Sequence, residues 1–553
     1  MLLLLLLGGW VIPHQTGCTA QAGLEVRCLS PELSLYQGEK AVLSFAIVNP
    51  LAESLRPGDN YFISYHLYDR RGKIISYNNP RFLLPGMIWR KTTTRFELPL
   101  FFGYVAPGDY IVEFDLVKEG EFWGSARGWK TARSKLHLKS LFSAEFKKQY
   151  LDWVCPTGNP LLDKEQYLLR LTLKNSEILD AGGRIFGFFA GSTYPGVWIR
   201  DTATFIAYAK RYYPLEVLTG SVELFMEHQG AEGEVVDWVD LSGSTGKNTV
   251  ETDQESSLLL AAYEIGRENP QWYHKAIKDK TVLERLEMAL TWVWRKRLSP
   301  DYQLVTSGFT ADWGDTENTY PDQRATQLSD RSTRVFSIYT QAKYIQAVDR
   351  FIKILQQVNS SRYRDKIRQW QERWQTLKSQ TQKHLYLEDK GYFITHLVPT
   401  ADREKYFNME KEILAVGGNA EAIMAGLMDK DRIKKFIDVL AERRRQYRLR
   451  TVSFTLIPPY PEGFFPHHLL RQPWSYQNGG EWDWIGGRVV NALFREGFAK
   501  EAETYLLEIV KKNLANFCLY EWEDRSGTGR GALFYVGAAG VIGEAILTGY
   551  RYN

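Results

Sequence analysis

From about Glu25 to Leu138 the chain alternates apolar and polar positions, or runs apolar for a strand's length, in AVLSFAIVN, YFISYHLYD, TTTRFELPL, YIVEFDLV and KLHL. Successive side chains on a strand face opposite ways, so this period of two predicts half-buried strands. Pro57-Gly58, Arg71-Gly72, Pro85-Gly86 and Pro107-Gly108 supply turns between them. Short strands at this spacing predict a β-sandwich over residues 23–138. A connector over 139–159 contains Cys155-Pro156, and the period then changes. From 160 to 553 apolar residues recur at three and four in about twelve segments, from LLDKEQYLLRLTLKNSEIL to VGAAGVIGEAILTGY, which predicts amphipathic helices. Twelve helices fit six helical hairpins closed into an (α/α)6 toroid, with an open helical bundle as the alternative. Tyr386 to Val398, YLEDKGYFITHLV, reads as a hairpin inserted between helices. The expected fold is therefore an all-β sandwich followed by an all-α toroid.

A chain of 553 residues exceeds one ordinary core, in keeping with two domains. Leu2 to Ile12 form an apolar run too short to span a membrane, followed by the small-residue site Ala20-Gln21-Ala22. Residues 1–22 therefore read as a secretory signal. Thr16-Gly17-Cys18 also resembles the end of a lipoprotein box, with Cys18 as the lipid-anchored residue. Either route means export, to a secreted, periplasmic or surface-anchored destination. Cleavage after Ala22 leaves Cys28, Cys155 and Cys518, too scattered for a disulfide framework. Charge is balanced, 69 Lys+Arg against 65 Asp+Glu with no basic block, which argues against nucleic acid as the main partner. Aromatic residues make up 14% of the chain, and many lie in Gly- and Pro-rich connections, where a glycan-binding cleft needs them.

Five connections interrupt the helices with acids, Trp and Gly. They are TYPGVWIRDTATF, with Trp198, Arg200 and Asp201, and EVVDWVDLSGSTGKNTVETDQESS, with Asp237, Trp238, Asp240, Asp253 and Gln254. The third, TSGFTADWGDTEN, sets Asp312 and Asp315 around Trp313-Gly314. The fourth, PWSYQNGGEWDWIGG, carries Tyr476, Gln477, Asn478, Glu481, Trp482 and Asp483, and the last, LYEWEDRSGTGRGALFYVGAAG, carries Glu521, Glu523 and Asp524. Each taken alone has an ordinary explanation: Asp201 as the N-cap of a helix, the others as solvated turns. In a toroid, connections at the same end of alternate helices meet at one mouth, so five of them predict a cleft. No Gly-x-Ser-x-Gly elbow, phosphate-cradling or dinucleotide glycine pattern, or metal-ligand spacing occurs, so neither metal nor cofactor is expected.

These motifs, in this order, resemble the six-hairpin glycosidase superfamily of glucoamylases, trehalases, alkaline invertases, processing α-glucosidases and disaccharide phosphorylases, from about Asn159 to Tyr550. WIRD, Trp198 to Asp201, resembles the early Arg-Asp segment that holds the hydroxyls of the sugar being cleaved, which implies that role for Arg200 and Asp201. ADWGD, Ala311 to Asp315, stands where the superfamily has its general acid. Spacing after Ser-Gly favours Asp312, the preferred choice, and the Trp-Gly-Asp likeness favours Asp315. YQNGGEW resembles the late Gly-rich loop lining the sugar site; Glu481 departs from the pattern and is either a substrate contact or a second acid. YEWEDRSGTGRG resembles the trehalase-type segment bearing the base, which implies Glu521 ahead of Glu523. The N-terminal stretch APGDYIVEFDLVKEGEFW, Ala106 to Trp123, resembles sandwich modules beside bacterial polysaccharide-handling enzymes and reads as a scaffold.

The function expected is an exported hydrolase of an oligo- or polysaccharide, inverting and exo-acting. A protonated carboxyl would feed the leaving oxygen while an ionised one activates water. The alternatives are a disaccharide phosphorylase, a polysaccharide lyase and a non-catalytic glycan-binding surface lipoprotein.

Overall fold

The structure, a computed structural model, describes residues 23–550 apart from 57–58, 60, 78, 80, 85, 103–104, 119–120, 180–184, 193, 195, 241–242, 320–325 and 400–402. The leader reading, with Cys18 and Ala20 to Ala22, lies outside the described residues, as do Pro57-Gly58 and Pro85. The chain divides into two compact units, Met1–Asp152 and Trp153–Asn553, and the division falls inside the segment read as a connector. Cys28, Cys155 and Cys518 are free thiols. Among the described residues no helix is long and apolar enough to cross a membrane.

The first unit is built from β1 (Glu25–Cys28), β2 (Glu32–Tyr36), β3 (Ala41–Asn49), β4 (Tyr61–Asp69), β5 (Ile74–Ser76), β6 (Phe82–Leu83), β7 (Thr92–Leu100), β8 (Gly108–Lys118), β9 (Phe122–Trp123) and β10 (Ala132–Lys139). One sheet runs β1-β3-β7; the other runs β2-β10-β8-β4-β5, with β6 on β4 and β9 on β8. All these pairs are antiparallel except β2 with β10. In β10 the alternation is plain, with Ser134, Leu136 and Leu138 inside and Arg133, Lys135 and His137 outside. Phe45, Ile47, Tyr65, Leu67, Phe114 and Leu138 meet in the apolar core. A short helix, α1 (Ala144–Gln149), follows.

The second unit holds α2 (Pro160–Asn175), α3 (Ile199–Ala209), α4 (Leu215–Glu227), α5 (Gln254–Gly266), α6 (Val282–Lys296), α7 (Ile338–Asn359) and α8 (Arg364–Leu385). It continues with α9 (Arg403–Glu410), α10 (Val416–Met424), α11 (Lys430–Tyr447), α12 (Asp483–Arg495), α13 (Ala499–Asn516) and α14 (Val536–Gly549). Each of the twelve periodic segments overlaps one of these helices; only α9, eight residues long, has no counterpart in the sequence pattern. In the segment Tyr386–Val398, Tyr386–Leu387 pairs with Tyr392–Phe393 in a small hairpin.

Two kinds of helix occur. Helices α3, α5, α7, α10, α12 and α14 pack each on the next, and α14 packs back on α3. Helices α10, α12 and α14 are buried along nearly their whole length, which suits their Gly- and Ala-rich sequences. A Cβ on Gly540 of α14 would lie 2.2 Å from the Cα of Phe205 on α3, so only glycine permits this approach. Three of the peripheral helices, α2, α6 and α11, have an N-cap side chain that accepts from the first turn. Asn159 accepts from Leu161 N ahead of α2, with Pro160 at its first position, and Thr281 and Glu284 form a capping box on α6. None of the six cyclically packed helices is capped by its own N-cap side chain. Other partners meet their first N–H groups instead: Ile199 N donates to Asp237 O, Ile338 N to Thr395 O, Val416 N to Thr455 O and Val536 N to Ala190 O.

Candidate active site

The connections that precede α3, α5, α7, α12 and α14 enclose one cavity of about 380 Å³. Its wall includes Trp198, Arg200, Asp201, Trp238, Gln254, Trp313, Asp315, Tyr476, Gln477, Trp482 and Glu521. All eleven were named from sequence, and all five loops contribute. Tyr194, Lys247, Asn248, Glu251 and Tyr535 line it too and were not named, and Asp237 was noted only as part of its loop.

Arg200 organises the floor. Its guanidinium donates to Asp253 through Nε at 2.7 Å and Nη2 at 3.0 Å, ion-pairs with Glu251 Oε2, and reaches Asp315 Oδ1 at 3.3 Å. Three carboxylates around one guanidinium use most of its five donors, a role that Lys could not fill. Asp201 lies inside the first turn of α3, which begins at Ile199, and so is not the N-cap proposed for it. Burial pushes its carboxyl up to about 6, against the pull of a Tyr535 hydrogen bond and of Arg200. Its Oδ1 has no hydrogen-bond partner, leaving an acceptor on the cavity wall.

Asp315 accepts from Gln477 Nε2 at 3.1 Å and from the Tyr476 hydroxyl at 3.4 Å, both on Oδ2. Its own N–H donates to Gln477 Oε1 at 3.1 Å, so one amide side chain holds both ends of the residue. Burial alone would raise its pKa, but hydrogen bonds from Glu251, Arg200 and Gln477, with the Arg200 charge, hold the carboxylate below its ordinary range. Glu521 stands on the strand Tyr520–Glu523, which pairs with Gly529–Leu533. The Tyr194 hydroxyl donates to its Oε1 at 2.9 Å, and Ala532 N–H donates to its Oε2 at 2.9 Å. Burial raises Glu521 to about 7, opposed by those two donors.

The aromatic wall is stepped rather than stacked. Trp198 and Trp238 lie 6.1 Å apart at 34°, while Trp313 meets Trp482 edge-on at 5.1 Å, and Trp482 meets Tyr535 edge-on at 6.0 Å. Edge-to-face packing locks the indoles while leaving ring area on the cavity wall.

Asp253, Asp312, Asn478, Glu481 and Glu523 stand off this wall, as do Asp240, Asp483 and Asp524. Asp312 has a left-handed backbone (φ 55°) that turns it toward the start of α10, where Gly418 N–H donates to its Oδ2 at 3.3 Å. It lines only a water-sized space of about 10 Å³, and burial raises it to about 8. Asp253 lines that same small space and accepts from Arg200 and, at 3.1 Å, from Tyr339. It bonds sideways to these groups and makes no cap on α5. Asn478 ties the loop internally, accepting from Tyr460 N at 2.8 Å and donating to Leu470 O at 2.9 Å. Glu481 and Glu523 do not line the cavity. Their backbones bridge each other, N–H to O at 2.9 and 2.8 Å, and their side chains enter an ion network with Arg450 and Lys512. A regular strand would put Glu521 and Glu523 on one face; a register shift between Tyr520 and Trp522 separates them.

The base candidate is also positioned by an absence of side chain. A Cβ on Gly531, whose φ is +69°, would come within 2.3 Å of Glu521 Oε2. Gly531→Ala is therefore expected to displace the Glu521 carboxylate and lower kcat by about 10²-fold, with the helical circular-dichroism signal kept. Wild-type kcat in that variant would show that the position of Glu521 does not matter to turnover.

No protein-family profile matches the chain, and no curated protein matches it in sequence. Solved structures do share its fold. A GH63 mannosylglycerate hydrolase from Thermus thermophilus, determined in complex with glucose, superposes with a TM-score of 0.50 at 15% identity, over 68% of this chain and 98% of that one. A rhamnosidase from Klebsiella oxytoca with rhamnose bound gives 0.50 at 11% identity, over 95% of this chain and 89% of that one. A GH78 rhamnosidase from Bacillus sp. GL1 gives 0.50 at 11% identity, over 91% and 46%. At these identities the likeness is one of architecture.

Proposed function

We propose that this chain is an exported glycoside hydrolase that removes a terminal sugar with inversion, from a cavity at one end of an (α/α)6 toroid. Asp315 is the general acid and Glu521 the general base. The observation that carries the reading is the convergence of these two buried carboxyls, from loops about two hundred residues apart, on one Trp-lined cavity. The cyclic packing of six helices supports the toroid, and the fold shared with glycoside hydrolases supports the reaction class. Arg200 and the unpartnered Oδ1 of Asp201 offer a donor and an acceptor to the hydroxyls of one sugar, and the indoles offer apolar faces to its ring. Glu521, as base, takes a proton from water as that water bonds to the anomeric carbon; Asp315 protonates the leaving oxygen. Both donors on Glu521 stabilise the ionised form that this role needs.

A second assignment is favoured by the charge pattern of the cavity, in which Asp315 is held ionised and Glu521 is raised: Glu521 as acid and Asp315 as base. Leaving-group dependence separates the two, because only the acid becomes dispensable when the leaving group departs without a proton.

The reading is tested on the chain from Gly23 onward, with a panel of α- and β-linked oligosaccharides, with and without phosphate, followed by NMR at early times. The expected product is free sugar of inverted anomeric form, made independently of phosphate. Sugar-1-phosphate formed only with phosphate would identify a phosphorylase, and binding without product would identify a glycan-binding protein.

The base also predicts a pH limb. A carboxylate base with a pKa of about 7 is active above that value, and turnover falls as pH drops through it. Tyr194 lowers that pKa by its hydrogen bond, so Tyr194→Phe is expected to move the acid limb of kcat/KM to higher pH. An unmoved limb would assign that limb to another group.

A further inference from the structure

Asp315 presents a difficulty for its own role. Arg200, Gln477 and Tyr476 all direct donors at its carboxyl, an arrangement that favours the ion, whereas a general acid must carry a proton. The groups around it point to the source. Glu251, on the connection before α5, is 7% exposed; one guanidinium, that of Arg200, holds its carboxyl and that of Asp315, which sets the two side chains as hydrogen-bond neighbours. Two carboxylates cannot hydrogen-bond each other: one oxygen of the pair has to carry a proton. Glu251 Oε2 is already taken, by Arg200 and by Gln254 Nε2 at 3.2 Å. Its Oε1 is buried with no donor in reach, and is the oxygen left to hold the proton.

Resting on the hydrolase reading, we propose that Glu251 and Asp315 form one carboxyl pair sharing a single proton, and that Glu251 is the positioning residue that keeps this proton available to Asp315. The charged and titratable groups that bear on the pair are Arg200, Asp253, Tyr339 and Tyr476 around Glu251, with Asp201, Glu521 and His467 in the field of Asp315. Arg200 touches both carboxyls, so it stabilises the pair with one negative charge whichever member carries the proton. In the reaction the C1–O bond breaks and the leaving oxygen keeps the bonding electrons and takes the proton of Asp315. That single proton reaches Asp315 from Glu251, and its transfer leaves both carboxyls ionised beside Arg200. Water bonds to C1 and gives its proton to Glu521, and return of that proton to the pair through solvent resets the site. A lone acid beside Arg200 would spend most of its time ionised; a pair that binds one proton tightly is loaded when substrate arrives. Paired carboxyls of this kind titrate together rather than as separate residues.

The test has two arms. In the first, infrared difference spectra of the unliganded protein near neutral pH compare wild type with Glu251→Gln. Loss of one protonated-carboxyl band is expected, because Asp315 is left ionised beside Arg200; an unchanged band count would overturn the shared proton. This arm uses no substrate, so it stands even if no glycoside proves to be cleaved. In the second arm, alkyl and dinitrophenyl glycosides of the sugar found in the product panel are compared. Glu251→Gln is expected to lower kcat on the alkyl glycoside by about 10²-fold and to move the alkaline limb of kcat/KM to lower pH. The dinitrophenyl glycoside, which leaves without a proton, is expected to be turned over near the wild-type rate. Glu251→Asp, which keeps a carboxyl, is expected to restore part of the loss. Equal losses on both glycosides, with no rescue by Asp, would show that Glu251 only supports the structure.

Discussion

Glu521→Gln is expected to abolish most turnover, with a loss toward the upper end of the ~10²–10⁴ range for a positioned acid or base, while melting temperature and sugar binding stay near wild type. The substitution suits the question because the site can accept an amide with little movement. Ala532 N–H donates to one oxygen of Glu521 and the Tyr194 hydroxyl donates to the other. A glutamine oxygen can keep the Ala532 bond, and its NH2 can donate to Tyr194, whose hydroxyl both donates and accepts. Shape and hydrogen bonds survive; only the ability to take a proton from water is lost. That step is needed whatever the leaving group, so the loss should be similar for alkyl and dinitrophenyl glycosides. Unchanged kcat would remove Glu521 from the mechanism. A loss confined to the alkyl glycoside would make it the acid instead.

The sequence made the helices legible because their apolar stripes extend over many residues, as in α7 and α8, and the sandwich strands because β3, β4 and β7 coincide with AVLSFAIVN, YFISYHLYD and TTTRFELPL. The loops that form the cavity were legible as a group, through their unusual density of Trp and carboxylates. Side-chain direction within them was not. Asp312 and Asp315 stand three residues apart in a segment without periodicity, and a single left-handed backbone angle at Asp312 sends it toward α10. Glu481 and Glu523 have the same side-chain chemistry as a catalytic acid. What removes them from the cavity is Lys512, in a stretch of α13 that reads as an ordinary charged helix face but whose side chain is 9% exposed among three carboxylates. Tyr535 was missed although a positional signal exists. It immediately precedes α14, as Trp198 precedes α3 and Trp482 precedes α12, and all three line the cavity. Searching for the aromatic residue ahead of each Gly- and Ala-rich helix would have found it. Glu251 carried no comparable signal, because its importance lies in a contact with a residue 64 positions later.

Asp315→Asn and Asp312→Asn are expected to differ by about 10²–10⁴-fold in kcat on an alkyl glycoside, and the contrast decides which aspartate of the ADWGD loop is the acid. Asp312 is buried, with a pKa raised to about 8, so at pH 7 it is already neutral. Asparagine copies a neutral carboxylic acid closely in shape, and its oxygen can still accept from Gly418 N–H. Asp312→Asn should therefore keep near-wild-type turnover at pH 7. Asp315→Asn is different in kind. The amide can still face Arg200 through its oxygen, but it cannot hand a proton to the leaving oxygen. Its loss should fall on alkyl glycosides and largely spare dinitrophenyl glycosides, the opposite of the uniform loss expected for Glu521→Gln. Active Asp315→Asn beside inactive Asp312→Asn would move the acid to Asp312, and the water-sized space beside it would then have to open during turnover for a glycosidic oxygen to reach it.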